Sequence, residues 1–284
     1  MTQFLQVPGG TIAFDDNGSG PLVVLLPGML DSRRSYRFLA PLLVEAGYRV
    51  VTMDIRGCGE SSAAWDDYSF EAQGGDIPAL LRHLDAGPAV LVGNSYSAGT
   101  IMVAAAEHPG LVAGVVPIAS FVPNLPEGPV KRALLAVIGR VGPYVPSVWG
   151  AYLKTAYPSA PPADFGAYRA ASVAALRERR DAARFYMRAV PMDAAWLDRV
   201  TCPALVMMGT ADPDFSDPTA VAELQAATMG ARLSLVEGAG HYPQAEFPAE
   251  VAAALLPFLT DVTSGNDAAT MGDVWELRMS SASR

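Results

Sequence analysis

The sequence predicts an α/β fold: a mostly parallel central sheet with helices on both faces. Three observations point there. Short apolar runs recur along the chain, longer helical patterns separate them, and a single strand-free stretch from 121 to 196 interrupts the alternation. In chain order, Leu22–Leu26, Arg49–Met53 and residues 89–92, 113–116, 205–208 and 233–236 are mostly unbroken by charge, as strands buried on both faces should be. Helical patterns fall at residues 36–46, 76–84, 98–107, 219–227 and 248–259, which gives the β-α-β rhythm of a sheet covered on both sides. Between 121 and 196 the sequence is punctuated by proline and mostly helical, most clearly at 170–188, so a helical insertion between two strands is expected.

Composition sets the outer limits. A chain of 284 residues, 51% hydrophobic and 17% charged, can bury a large core. The expected organisation is a core formed by residues 1–120 and 197–261, the insertion at 121–196, and a loosely attached tail at 262–284. A net charge of −9 and a pI near 4.8 argue against nucleic acid as a partner, since phosphate binding calls for a positive surface. Cys58 and Cys202 cannot make a disulfide framework, and the opening Met1 to Gln6 has no basic region before an apolar core, so the cytoplasm is the expected location. No apolar run approaches the ~18 residues of a membrane span.

The stretch Val90-Leu91-Val92-Gly93-Asn94-Ser95-Tyr96-Ser97-Ala98-Gly99 carries chemistry. A buried strand stops at a serine hemmed in by small residues, and a helical pattern follows. In a nucleophile elbow, small residues two positions either side of the nucleophile let strand and helix backbones approach closely. Ser95 has Gly93 before it and Ser97 after it, where G-x-S-x-G would have a second glycine. A register with Ser97 as nucleophile would set the elbow two residues late.

A serine hydroxyl needs a base, and the base needs a group to orient it. Of three histidines, His83 lies inside a helical pattern and His108 at the end of another, both structural positions. His241 follows the last strand in the glycine-rich Glu237-Gly238-Ala239-Gly240-His241-Tyr242-Pro243, and is the candidate base. Asp212 and Asp214 both follow the strand at 205–208; Asp212 is the candidate acid and Asp214 the alternative. The order Ser, Asp, His is the one α/β-hydrolases use.

On five motifs the chain resembles the α/β-hydrolase superfamily. They are Leu26-Pro27-Gly28-Met29, Asp54-Ile55-Arg56-Gly57-Cys58-Gly59-Glu60-Ser61, the elbow at Ser95, the acid loop from Gly209 to Asp214, and Ala239-Gly240-His241-Tyr242-Pro243 followed by Glu246-Phe247-Pro248. The resemblance implies a serine hydrolase of carboxylic esters or related acyl compounds, without cofactor, acting on a small-molecule substrate. It also implies an oxyanion hole from the backbone N–H groups of Met29 and Tyr96, and a helical cap at 121–196. Pro27 stands where the family commonly has a histidine. The same constellation serves C–C bond hydrolases, thioesterases, lactonases and haloperoxidase-like enzymes, and some relatives are small-molecule receptors. Arg56-Gly57-Cys58-Gly59 lacks a P-loop lysine and reads as a tight turn, and no metal-ligand spacing is present. The insertion's aromatics, Tyr144, Trp149, Tyr152, Phe165, Phe185, Tyr186 and Trp196, either line a pocket or pack the cap onto the core. Arg177, Arg179, Arg180, Arg184 and Arg188, interleaved with Glu178 and Asp181, read as a solvated helix face.

Overall fold

The computed structural model describes residues 1–121, 145–179 and 195–265. An eight-stranded sheet runs through it in the order β1-β2-β4-β3-β5-β6-β7-β8. The strands are β1 (Gln3–Val7), β2 (Gly10–Asn17), β3 (Leu22–Leu26), β4 (Arg49–Met53), β5 (Ala89–Asn94), β6 (Val112–Ile118), β7 (Leu205–Gly209) and β8 (Arg232–Val236). From β4 to β8 across the sheet all pairings are parallel, whereas β2 pairs antiparallel with β1 and with β4.

Residues of β3 divide the core in two. Leu22, Val24 and Leu26 face a cluster with Ile77, Leu80, Ile101 and Met102. Val23 and Leu25 face the other, with Leu39, Leu43, Val221, Leu255 and Phe258. The helices are α1 (Leu39–Glu45), α2 (Phe70–Leu84), α3 (Tyr96–Glu107), α4 (Pro146–Thr155), α5 (Phe165–Glu178), α6 (Ala195–Arg199), α7 (Pro218–Met229), α8 (Pro243–Glu246) and α9 (Pro248–Ser264). Both sheet faces are therefore covered, α2 and α3 on one side and α1, α7 and α9 on the other.

Four elements differ from the sequence reading. The β1–β2 hairpin escapes a search for strands buried on both faces, because β1 is an edge strand with Gln3, Phe4 and Gln6 exposed. At the opposite edge β8 forms as expected but is not buried on both faces: Leu233 and Leu235 are exposed. Helix α2 begins at Phe70, six residues before its expected start, because the Ser69 side chain caps it by accepting the Ala72 N–H at 3.1 Å. Gly74 and Gly75 conceal that first turn, and Gly74 is needed there: a Cβ would lie 2.8 Å from Val103 on α3. The last helix runs on to Ser264, past the expected boundary at 261.

Helices α4 and α5 lie between β6 and β7 in the chain, within the expected insertion. Trp149, Leu153 and Ala156 of that segment, with Tyr157 and Leu176, form a third apolar cluster with Leu30, Tyr242 and Ala245. The expected helix at 170–188 is α5, shifted towards the N-terminus; residues 180–194 lie outside the described residues, as do Tyr144, Phe185, Tyr186, Arg180, Asp181, Arg184 and Arg188. Among the described residues no helix is long and apolar enough to cross a membrane.

The strand order fixes where a site can form. After β3 the chain lays β4 on one side of it and then β5 on the other. The loops leaving β3 and β5 thus part in opposite directions, which opens a crevice at the carboxyl ends of the strands. The approach of β5 to α3 there is close: a Cβ on Gly93 would sit 2.4 Å from the Ser97 carbonyl oxygen. Gly93→Ala is accordingly expected to destabilise the fold by about 2 kcal/mol or more, the cost of overpacking a backbone contact. A urea melt checks this; an unchanged midpoint would mean that strand and helix are not held at that separation.

Candidate active site

Ser95 occupies the turn between β5 and α3, with φ 54° and ψ −114°. A non-glycine residue in such a conformation costs about 1–3 kcal/mol and persists only where its surroundings enforce it. Here they do: the Ser95 N–H donates to Ile118 O at 2.8 Å, and the Ala98 N–H to Ser95 O at 3.1 Å. Ser97 is two residues into the helix, fully buried, and its hydroxyl donates to Pro27 O. Of the two candidate registers, the geometry puts Ser95 at the elbow and spends Ser97 on the turn after β3. That bond, with Tyr36 Oη donating to Leu26 O at 2.8 Å, also supports the turn at Pro27.

The same turn abuts the serine. A Cβ on Gly28 would lie 3.4 Å from Ser95 Cβ, so the next residue, Met29, is carried to the rim of the elbow. The Asp31 N–H closes the turn onto Gly28 O at 3.2 Å, with Leu30 at a strained φ of 61°. Tyr96 is the first residue of α3. Its ring stacks on Phe70 with centroids 4.4 Å apart, and its hydroxyl donates to Tyr68 O.

Acid and base loops meet at the ends of β7 and β8. Ala211 N–H donates to Ala239 O at 2.9 Å, Gly238 N–H to Thr210 Oγ1 at 2.8 Å, and a Cβ on Gly209 would collide with the carbonyls of Ala239 and Gly240 at 2.3 Å. This zipper brings Asp212 Oδ2 to 2.8 Å from His241 Nδ1. Asp212 Oδ1 accepts the Asp214 N–H at 2.9 Å, so each carboxylate oxygen has a partner. Asp214 Oδ2 lies 3.5 Å from the same His241 nitrogen. The structure therefore gathers both aspartates at the imidazole, but only Asp212 is within good hydrogen-bonding distance. From the other side, Asn94 Nδ2 donates to His241 O at 3.0 Å and ties the loop to the residue before Ser95. The ligand atoms of Asp212, Asp214 and His241 lie within 4.8 Å of one another, a grouping that the Asp212–His241 hydrogen bond already accounts for.

Sequence reasoning passed over three supports. Glu246 accepts the N–H groups of Gly240, Ser159 and Ala160, pinning the base loop to the segment after α4. Asn94 is assigned no role from the sequence. Arg179, expected on a solvated face, instead reaches from the end of α5 to donate to Gly59 O and Ser61 O, while Arg177 is exposed as expected. Arg37 adds a second tie to the insertion through a two-pronged pair with Asp164. Arg56 is spent on Asp76, at 2.6 and 2.8 Å, so its turn is structural. A cavity of about 390 Å³ lies between the turn after β3 and α5, with Leu30, Asp31, Cys58, Tyr168 and Ser172 among its walls. Burial pushes the Asp31 carboxyl up to about 6, against the Tyr168 hydroxyl, the Ser32 N–H and the Arg37 charge. Burial also pushes the Cys58 and Cys202 thiols up to about 12, which removes both as thiolate nucleophiles near neutral pH.

Electrostatics at His241 set two effects against each other. Burial pulls its pKa down, but the charges of Asp212 and Asp214, the Asp212 hydrogen bond and the Asp31 charge outweigh it and raise the value to about 9. Because the folded value exceeds the ordinary histidine value of 6.5, the contribution to stability is complete below about 6.5 and is lost as pH rises through about 9. An NMR titration of the His241 ring is expected to place its pKa near 9. A value at or below 6.5 would mean that burial wins over the carboxylates.

Comparison with known proteins bears on the family and the fold. Residues 23–254 match the alpha/beta hydrolase family. Over 266 residues the chain is 29% identical to a 2-(acetamidomethylene)succinate hydrolase of Mesorhizobium japonicum, covering 88% of this chain and 91% of the relative. Over 124 residues it is 34% identical to bifunctional epoxide hydrolase 2 of Sus scrofa; that match covers 43% of this chain and only 22% of the relative's length. An esterase structure from Exiguobacterium antarcticum superposes with a TM-score of 0.80 at 22% identity, over 92% of this chain and all of the other, a likeness of fold. The strand order, the elbow and the family match lead to one conclusion: the chain belongs to the alpha/beta hydrolase family.

Proposed function

We propose that the protein is a serine hydrolase that cleaves a carboxylic ester or a related acyl substrate through an acyl-enzyme on Ser95. The observation that carries the reading is the 2.8 Å contact of Asp212 with His241 Nδ1, in a loop tied to Asn94, the residue preceding a strained serine. The relative matched along nearly its whole length is named for hydrolysis of an acetamido compound, which supports acyl chemistry.

In this reading Asp212 holds the Nδ1–H tautomer, leaving Nε2 to take the Ser95 proton as Oγ attacks the acyl carbon. The N–H groups of Met29 and Tyr96 stabilise the charge on the carbonyl oxygen. The imidazolium then protonates the leaving group, and water activated by His241 releases the acid and restores Ser95. No cofactor enters these steps. Residues 121–196 act as a cap over a core formed by residues 1–120 and 197–261, and the part of the cap made by α4 and α5 is clamped to the core by Arg37–Asp164 and Arg179.

A fluorophosphonate probe is expected to label Ser95, with the label lost in Ser95→Ala. Ser97→Ala should keep it, at a stability cost of about 1–3 kcal/mol for the unpaired Pro27 carbonyl. Asp212→Asn should lower kcat on p-nitrophenyl esters by roughly 10⁴. Intact mass, peptide mapping and steady-state rates decide. Label on Ser97, or an Asp212→Asn variant close to full activity, would overturn the assignment.

A further inference from the structure

The insertion reaches the candidate base through a side chain that the proposed reaction does not use. Tyr152, on α4, donates its hydroxyl to Asp214 Oδ2 at 2.8 Å. Burial, and then the Asp214 charge, hold its phenol well above the usual range, so it remains a donor. Its ring meets the His241 ring edge-on with centroids 6.5 Å apart and packs on Trp149 at 5.0 Å. One turn further on, Ala156 O accepts the His241 N–H at 3.0 Å. Residues 152–156 thus hold both the backbone of the base and the second carboxylate beside it.

We propose that Tyr152 is a positioning residue that acts through Asp214: its hydroxyl fixes a second carboxylate beside His241 and so couples seating of the insertion to the charge state of the base. The inference rests on the reading of His241 as base, and deepens it. Asp212 is satisfied by the imidazole and by the Asp214 N–H, and so needs no help from α4. Asp214 differs. Its side chain stands 3.5 Å from Nδ1, near enough to act by charge but too far for a good hydrogen bond, and a buried carboxylate keeps its charge more readily when a donor binds the ionised form.

The other ionisable groups around the ring do not substitute for this arrangement. Asp31, on the turn after β3, contributes less than either aspartate beside the ring. Glu246 is engaged by three backbone N–H groups, Lys154 of α4 is exposed, and the Tyr242 ring stands edge-on to the imidazole at 5.2 Å. Without the Tyr152 hydroxyl, Asp214 loses a donor that favours its ionised form and an anchor that aims it at Nδ1. Both losses weaken its hold on the imidazolium.

The test is a double-mutant cycle on the intact chain with Tyr152→Phe, Asp214→Asn and the pair together, reading the His241 pKa by imidazole NMR. Asp214→Asn should lower it by about one unit or more, the usual effect of a charge at this range. Tyr152→Phe, which deletes one oxygen and keeps the ring against Trp149, should lower it less. The double variant should match Asp214→Asn alone. No shift in Tyr152→Phe, a shift upward, or additive shifts in the pair would overturn the proposal. The pH profile of kcat/KM on p-nitrophenyl butyrate, run in parallel, separates the two readings. If the NMR shifts hold while the rate profile does not follow them, the coupling stands and His241 is not the base; if the profile tracks His241 in the parent but Tyr152→Phe moves neither, the base stands and the coupling falls.

Discussion

The 2.8 Å contact between Asp212 and His241 joins loops that leave two different strands, and the backbone around it is shaped to make it. Gly209 admits the carbonyls of Ala239 and Gly240 where any side chain would collide, and Gly240 in turn lets Ala156 and Pro158 of the insertion close on the base loop. Each approach leaves backbone polar groups out of reach of water, and each is matched by a bond: Ala211 to Ala239, Gly238 to Thr210, His241 to Ala156, and three N–H groups to Glu246. The imidazole is thereby fixed without relying on its own side-chain bond alone.

A second consequence is electrostatic. A buried histidine without carboxylates would be held neutral, whereas two buried aspartates and no positive partner would favour a protonated carboxyl. Together at 2.8 and 3.5 Å they sustain a protonated imidazole. The two carboxylates therefore favour the imidazolium, the form the ring takes once it has accepted a proton. The same crevice lies at the point where strand order reverses around β3, which is why the elbow, the turn after β3 and the base loop converge there.

Much of the fold was legible because the inner strands are buried on both faces and stand out as apolar runs. What escaped was at the edges, where β1 alternates with solvent, and at α2, where two glycines mask the first turn. The serine elbow and the two loops after β7 and β8 were legible because their glycines and their order are local. Asn94, Glu246, Tyr152 and the Arg179 clamp were not, because each works through partners distant in sequence: Asn94 and His241 are 147 residues apart, Tyr152 and Asp214 are 62. Asp212 is the first choice of acid from the sequence and Asp214 the alternative, and what separates two carboxylates that follow the same strand and end beside the same nitrogen is distance, 2.8 against 3.5 Å.

The proposed reaction requires Ser95, His241 and Asp212 to act as one unit. The most direct measurement compares kcat on a p-nitrophenyl ester for Ser95→Ala, His241→Ala and the double variant. If serine and histidine serve one proton transfer, the double loses no more than either single, each falling by about 10⁶ as in other triads. Losses that multiply in the double variant would mean that the two residues act independently and would contradict the account.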